Sequence, residues 1–266
     1  MSHNLSRIFG VAHGYKLGVR LSLAAPVDSA KSILATASGL SLFAFAVDAS
    51  SGTLTPLSTA TFATGRGPSS IAVDAAGPFL YVANNGGSNN LSAFAIDPAT
   101  GILTEMAGSP FNAVANPLSL AFGASGKFLY AANSGTMNSS ISGFSVDAVS
   151  GTLTALSGSP FPLAVSHYLA AHPTGAYLYV TTGTGVVGYG IEAATGLLSS
   201  LPGFPITAGG NAYSVAIDPD NQFLYVTNDG TADIAGFAFD ASTGGLILIP
   251  GSPFAAGHSP HFVATR

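Results

Sequence analysis

The chain has no cysteine and no tryptophan, and only 7% of its 266 residues are charged. Without cysteine there is no disulfide, thiolate metal site or cysteine nucleophile, and the redox compartment stays open. An ordinary soluble domain carries about 25% charged residues, so much of this surface must be polar without charge. Lys and Arg together number 7, no stretch clusters them, and the formal net charge is −5. Such a chain cannot neutralise a run of phosphates, and nucleic acid is not an expected partner. Long apolar runs are missing as well. Mean hydropathy is +0.46, yet Gly, Pro, Asn or Ser interrupts every stretch before it reaches about 18 apolar residues, so no membrane span is expected. The segment Met1–Val27 carries Arg7, Lys16 and Arg20. It has no clear signal-peptide form and leaves both cytoplasm and export open.

What the chain has in quantity is turn chemistry, with 33 Gly and 16 Pro beside 47% apolar residues. High hydropathy excludes a disordered chain. Self-similarity then decides the fold class. Phe79-Leu80-Tyr81 recurs as Phe128-Leu129-Tyr130, Tyr177-Leu178-Tyr179 and Phe223-Leu224-Tyr225. A second marker places an acid four residues before a glycine: Asp48/Gly52, Asp97/Gly101, Asp147/Gly151, Glu192/Gly196 and Asp240/Gly244. A third is Gly-Ser-Pro-Phe at 108–111, 158–161 and 251–254, with a degraded copy at Gly203-Phe204-Pro205. In the clearest unit, short apolar runs bounded by Gly, Asn, Asp and Pro predict strands at 70–74, 79–84, 91–97 and 102–106.

Four strands in a unit of about 40 to 50 residues describe a propeller blade, and no segment keeps a helical apolar period. The expected fold is all-β: a β-propeller of four-stranded antiparallel blades, with five complete repeats and a partial one. The blades span about 19–66, 67–115, 116–165, 166–210 and 211–259, followed by a closing or partial strand at 260–266. Residues 1–18 form an N-terminal segment able to supply an odd strand. A blade cannot bury both faces alone. The last strand therefore either pairs with the N-terminal blade or belongs to a larger ring.

Tyr225-Val226-Thr227-Asn228 is echoed by Tyr81-Val82-Ala83-Asn84, Tyr130-Ala131-Ala132-Asn133 and Tyr179-Val180-Thr181-Thr182. With the flanking Asp/Gly turns, the chain resembles YVTN-repeat and lactonase-family propellers, 6-phosphogluconolactonase-like proteins among them. The resemblance implies a β-propeller, usually of seven blades, and hydrolysis of a sugar lactone at the channel mouth without a cofactor. Hydrolytic members tend to carry Pro-Arg-His where the chain enters an inner strand. The equivalent positions here read Pro68-Ser69-Ser70, Pro117-Leu118-Ser119, Ser166-His167-Tyr168, Ala212-Tyr213-Ser214 and Pro260-His261-Phe262. No Arg-His pair occurs among them, which implies a weakened site.

Blade topology sorts the remaining polar residues. The repeated acids, with Asp28, Asp74, Asp218 and Asp220, fall in hairpin turns, where a carboxylate accepts backbone N–H bonds. Glu105, Asp229 and Asp233 have no repeat-wide role. Asp229 and Asp233 share one loop, but a calcium loop supplies more ligands at fixed spacing, so a solvated loop and no metal are expected. The face of the blade-to-blade crossings holds the candidates. His167 and His261 occupy the same repeat position two blades apart, and Arg66 lies in the crossing before blade two. An imidazole can serve as general base on water, and a guanidinium can hold a carboxylate or a developing oxyanion. These three are the expected catalytic residues, with Asn84, Asn133, Asn211, Asn228 and His258 as ligand-binding residues. Two functions stay open at this point: a lactone hydrolase, or a non-catalytic, exported propeller that binds glycan or protein through its asparagine-rich face.

Overall fold

A computed structural model describes residues 9–12, 16–21, 31–48, 50–57, 61–74, 78–114, 116–123, 126–135, 139–240 and 242–263, with side chains from residue 39 onward. The strands gather into five antiparallel sheets, one per blade. Blade two shows the pattern. Its inner strand Pro68–Val73 pairs with Phe79–Asn84, which pairs with Asn90–Ile96, which pairs with the outer strand Leu103–Glu105. A short fifth strand, Phe111–Asn112, returns to the start of the third. Inner strands Pro117–Phe122, Leu169–Ala171 and Ala212–Ile217 open the next three blades in the same order. In blade one, Lys16–Leu21 is the inner strand, and Phe9–Ala12, from the N-terminal segment, pairs beside it. Of the segment expected to form a strand at 260–266, residues 260–263 form none; residues 264–266, like Asp28, lie outside the described residues.

The three sequence markers turn out to be parts of the joints within and between blades. Tyr81, Tyr130 and Tyr179 each donate a buried hydroxyl to the carbonyl of the hairpin glycine in the following blade, Gly151, Gly196 and Gly244, at 2.5, 2.7 and 2.7 Å. Burial pushes all three phenols up from their ordinary range. The same glycines have positive φ, between 69° and 73°. A methyl group on Gly196 or Gly244 would stand 2.5 Å from the ring of Phe128 or Tyr177, so the turn and the aromatic strand fix each other's sequence. The acid that opens each turn folds it: Asp147 Oδ1 accepts from Ser150 N at 2.7 Å and Ser150 Oγ at 2.8 Å. In the Gly-Ser-Pro-Phe marker the serine is the working residue. Ser109, Ser159 and Ser252 accept from the third-strand amides of Ala93, Gly143 and Gly236 at 3.1, 3.0 and 2.9 Å. The degraded copy puts Phe204 there instead, with its ring over Gly188.

In blades two and three, covered on both faces, the second strand is buried throughout, at Phe79–Asn84 and Phe128–Asn133. Tyr81, Leu91 and Ala93 pack against Leu120, Leu129 and Phe144 of the next blade. Full burial of such a side chain stabilises by about 1.5–3 kcal/mol. The two end blades differ. Leu54 in the outer strand of blade one is 46% exposed, whereas its counterparts Leu103, Leu153 and Leu246 are 3%, 8% and 8% exposed. Tyr225 is only half-buried where Tyr81, Tyr130 and Tyr179 are fully buried.

Candidate functional site

Four of the five crossings that precede these inner strands end on a residue in the left-handed region, Gly67 at φ 61°, Asn116 at 54°, Asn211 at 52° and Ser259 at 49°, and the one at Val165 does not. Glycine and asparagine tolerate that conformation best. The turn then delivers the next two residues to the start of an inner strand. Across successive blades the second of them is Ser69, Leu118, His167, Tyr213 and His261.

The last three form a row. The Tyr213 ring lies 5.0 Å from His261 in a stacked arrangement (29°) and 5.5 Å from His167. Behind it, Tyr168 packs 5.2 Å from Tyr213 and 5.4 Å from Phe262, in an edge-to-face contact with the latter. Tyr168 and Tyr213 are joined through their hydroxyls, and burial raises both phenols.

The two histidines are held differently. His167 Nδ1 lies 2.9 Å from the carbonyl oxygen of Ala212. A carbonyl only accepts, so in the neutral ring Nδ1 carries the proton and Nε2 the lone pair. His261 Nε2 lies 3.3 Å from Asp229 Oδ1, and both side chains are about a quarter exposed, 25% and 24%. Asp229 Oδ2 accepts from Asn211 Nδ2 at 3.0 Å. Hydrogen bonds from the Ser259 hydroxyl, then from Asn211, with the His261 contact, hold the Asp229 carboxyl below the usual carboxylate range.

Two threonines hold the row from behind. Thr181 Oγ1 accepts from Tyr168 N at 2.9 Å and donates to Tyr213 O at 2.6 Å. Thr227 Oγ1 accepts from Ser214 N at 3.1 Å and donates to His261 O at 3.3 Å.

Residues 39–122 match the family model described as Lactonase, 7-bladed beta-propeller. The chain is a β-propeller similar, over these residues, to the lactonase family. Solved structures agree on the fold. A Bacteroides fragilis protein, provisionally assigned as a 6-phosphogluconolactonase, superimposes with a TM-score of 0.70 at 20% identity, covering 88% of this chain and 70% of that one. A Bacteroides uniformis protein with the same provisional assignment gives 0.71 at 17% identity, over 88% and 70%. The periplasmic gluconolactonase of Pseudomonas aeruginosa gives 0.66 at 19% identity, over 91% and 68%. No curated protein sequence matches the chain.

In this propeller the residues expected to bind ligand divide sharply. Asn84, Asn133 and Asn228 are 0% exposed, which corrects their expected place on the surface. Their amides close the blades from inside: Asn84 donates to Asn90 Oδ1 and Ser92 Oγ, Asn133 to Ser140 and Ser142, and Asn228 to Ala208 O and Asp233. Asn211 is exposed and donates to Asp229 beside the row. Arg66 and His258 stand at the same crossing position, one before the left-handed residue, and both are exposed. Arg66 bonds through its backbone to Ser88 and Gly86 of blade two, and no ion pair joins it among the described residues. Asp233 is taken up by Asn228, so the two acids of that loop do not act as a pair.

Among the described residues no three His, Asp or Glu side chains are placed to hold a metal ion, and no helix is long and apolar enough to cross a membrane. Sequence reasoning missed that Tyr213 stands between the two histidines and that Asp229 contacts His261. The signal for Tyr213 was its repeat position between the two histidines.

Proposed function

We propose that the protein hydrolyses a sugar lactone at the mouth formed by His167, Tyr213 and His261. The observation that carries the reading is the His167 ring, with its Nδ1 proton committed to Ala212 O and its Nε2 lone pair available as a base. In the reaction, Nε2 takes a proton from water as the oxygen attacks the lactone carbonyl. The tetrahedral oxyanion collapses, the ring C–O bond breaks, and the leaving alkoxide recovers the proton to give the open hydroxy acid. General-base assistance of this kind contributes about 10²–10⁴-fold. His261, across the Tyr213 ring, supplies the second imidazole, and exposed Arg66 on the rim attracts an acidic substrate or product. Likeness to a propeller named a gluconolactonase supports a sugar lactone as the substrate class.

The glycan- or protein-binding alternative has less support, because three of its asparagines are buried. The test is proton release from a panel of sugar lactones, corrected for spontaneous opening, with His167→Gln and the double variant His167→Gln/His261→Gln. A loss of at least about 100-fold is expected for the double variant. Turnover that survives it refutes the site, and no turnover by the unaltered protein refutes the activity.

A further inference from the structure

Asp229 is the charged group beside this row that the reaction above leaves without a part. Its backbone role needs no charge: Asp229 N donates to Asn211 O at 3.1 Å, and Asn85 and Ser134 make the same bond to Gly67 O and Asn116 O at 2.8 and 2.9 Å. A neutral residue therefore satisfies this turn in two other blades. The carboxylate occurs in blade five, where the following inner-strand start brings a histidine, and its Oδ1 lies 3.3 Å from His261 Nε2. Its other oxygen is anchored by the Asn211 amide at 3.0 Å, and the Ser259 hydroxyl bonds it as well. The acid is thus tied to the left-handed residues of two successive crossings.

We infer that Asp229 is a positioning residue that fixes the ring orientation and tautomer of His261. A carboxylate only accepts, so the Asp229 contact puts the neutral imidazole's proton on Nε2 and its lone pair on Nδ1. The Thr227 hydroxyl on His261 O and the Tyr213 ring against its face complete the hold. His261 is thereby presented as the counterpart of His167: each has one nitrogen committed to an acceptor and the lone pair on the other. The kinetic consequence rests on the lactonase reading, whereas the tautomer does not.

The decisive variant is Asp229→Asn in the full chain. Asn211 Nδ2 donates toward this position, so it selects the oxygen of the new amide and turns the amide NH₂ toward His261. Nε2 must then accept, and the proton moves to Nδ1. Long-range ¹⁵N–¹H correlation spectra read this directly: an Nε2–H signature for His261 in the unaltered protein and Nδ1–H in the variant. Asn85 and Ser134 in the equivalent turns indicate that the fold accepts the change. In the lactone assay kcat should fall about 10- to 100-fold, the size typical of removing an orienting carboxylate, with KM changing less than about threefold. The same His261 tautomer in both proteins overturns the inference, and so does an unchanged kcat in an active enzyme. If the unaltered protein turns over no lactone, the functional reading fails, and the pair of spectra still decides whether Asp229 sets His261.

Discussion

The joint between blades can be weighed by a paired substitution, Gly196→Ala against Gly52→Ala. The two glycines close equivalent hairpins, in blades four and one, and have nearly the same φ, 73° and 72°. Alanine in the left-handed region costs about 1–2 kcal/mol at either place. At Gly52 nothing lies within 4 Å of the added methyl, so the backbone term is the whole cost. At Gly196 the methyl falls 2.5 Å from Phe128 Cδ1, and Phe128 is 6% exposed with no room to retreat. Overpacking of this kind costs about 1–3 kcal/mol. Pushing the turn away also weakens the Tyr130 bond to Gly196 O, and a buried group left without its partner costs about 1–3 kcal/mol more. Gly196→Ala should therefore lose about 2–6 kcal/mol beyond Gly52→Ala, with Tyr130→Phe accounting for about 1–3 kcal/mol of that by itself. The assay is urea unfolding of the three variants, comparing midpoints at unchanged slope. Equal losses at Gly52 and Gly196, within about 0.5 kcal/mol, would refute the claim that the glycine is fixed by the neighbouring blade rather than by its own turn.

Two further outcomes follow from burial. Leu153→Ala should cost about 2–5 kcal/mol, because Leu153 is 8% exposed in an inter-blade core, while Leu54→Ala, at 46% exposed, should cost under about 1 kcal/mol; urea midpoints again decide, and equal costs would overturn the account of the end face. His172, buried with its ring edge-on to Phe239 at 4.8 Å, has its pKa lowered by desolvation. The unfolded chain therefore takes up this proton first. The contribution of His172 is intact above about pH 6.5 and is lost as pH falls toward the depressed folded value, with a slope of up to about 1.4 kcal/mol per pH unit. Urea midpoints of His172→Gln measured from pH 8 to 5 should flatten this limb relative to the unaltered protein; parallel curves would show that the ring titrates normally.

The blade architecture was legible because its signals come from obligatory contacts. The tyrosine of Phe-Leu-Tyr and the glycine of the acid turn are two ends of one hydrogen bond, so neither can drift without the other, and their joint repetition exposes the fold. The asparagines were misplaced for an equally physical reason. An amide at a strand end reads as a surface group, but the start of a buried third strand presents hydroxyls and amides that need a partner inside the blade. Asn133, between Ser140 and Ser142, meets that need. Within the candidate site, His167 and His261 stood out by sharing a repeat position. Arg66 has the right kind of side chain, but a crossing position fixes height on the rim and not distance around it.

The same repeat also accounts for why the site gathers where it does. Blades two and three carry Ala83 and Ala132 in the third position of the Tyr-Val-Thr-Asn signature, whereas blades four and five carry Thr181 and Thr227. Both threonines are fully buried. Each takes an inner-strand N–H of its own blade and gives its proton to a carbonyl one blade further on, at Tyr213 and at His261. An alanine there leaves the next inner strand to other contacts, as at Pro117, whose carbonyl accepts from Ser69. The threonine thus does two jobs with one hydroxyl: it joins neighbouring blades, and it sets the backbone from which a ring of the site projects. Signature and site are therefore physically linked, because the bond that holds one blade to the next also places Tyr213 between the two histidines.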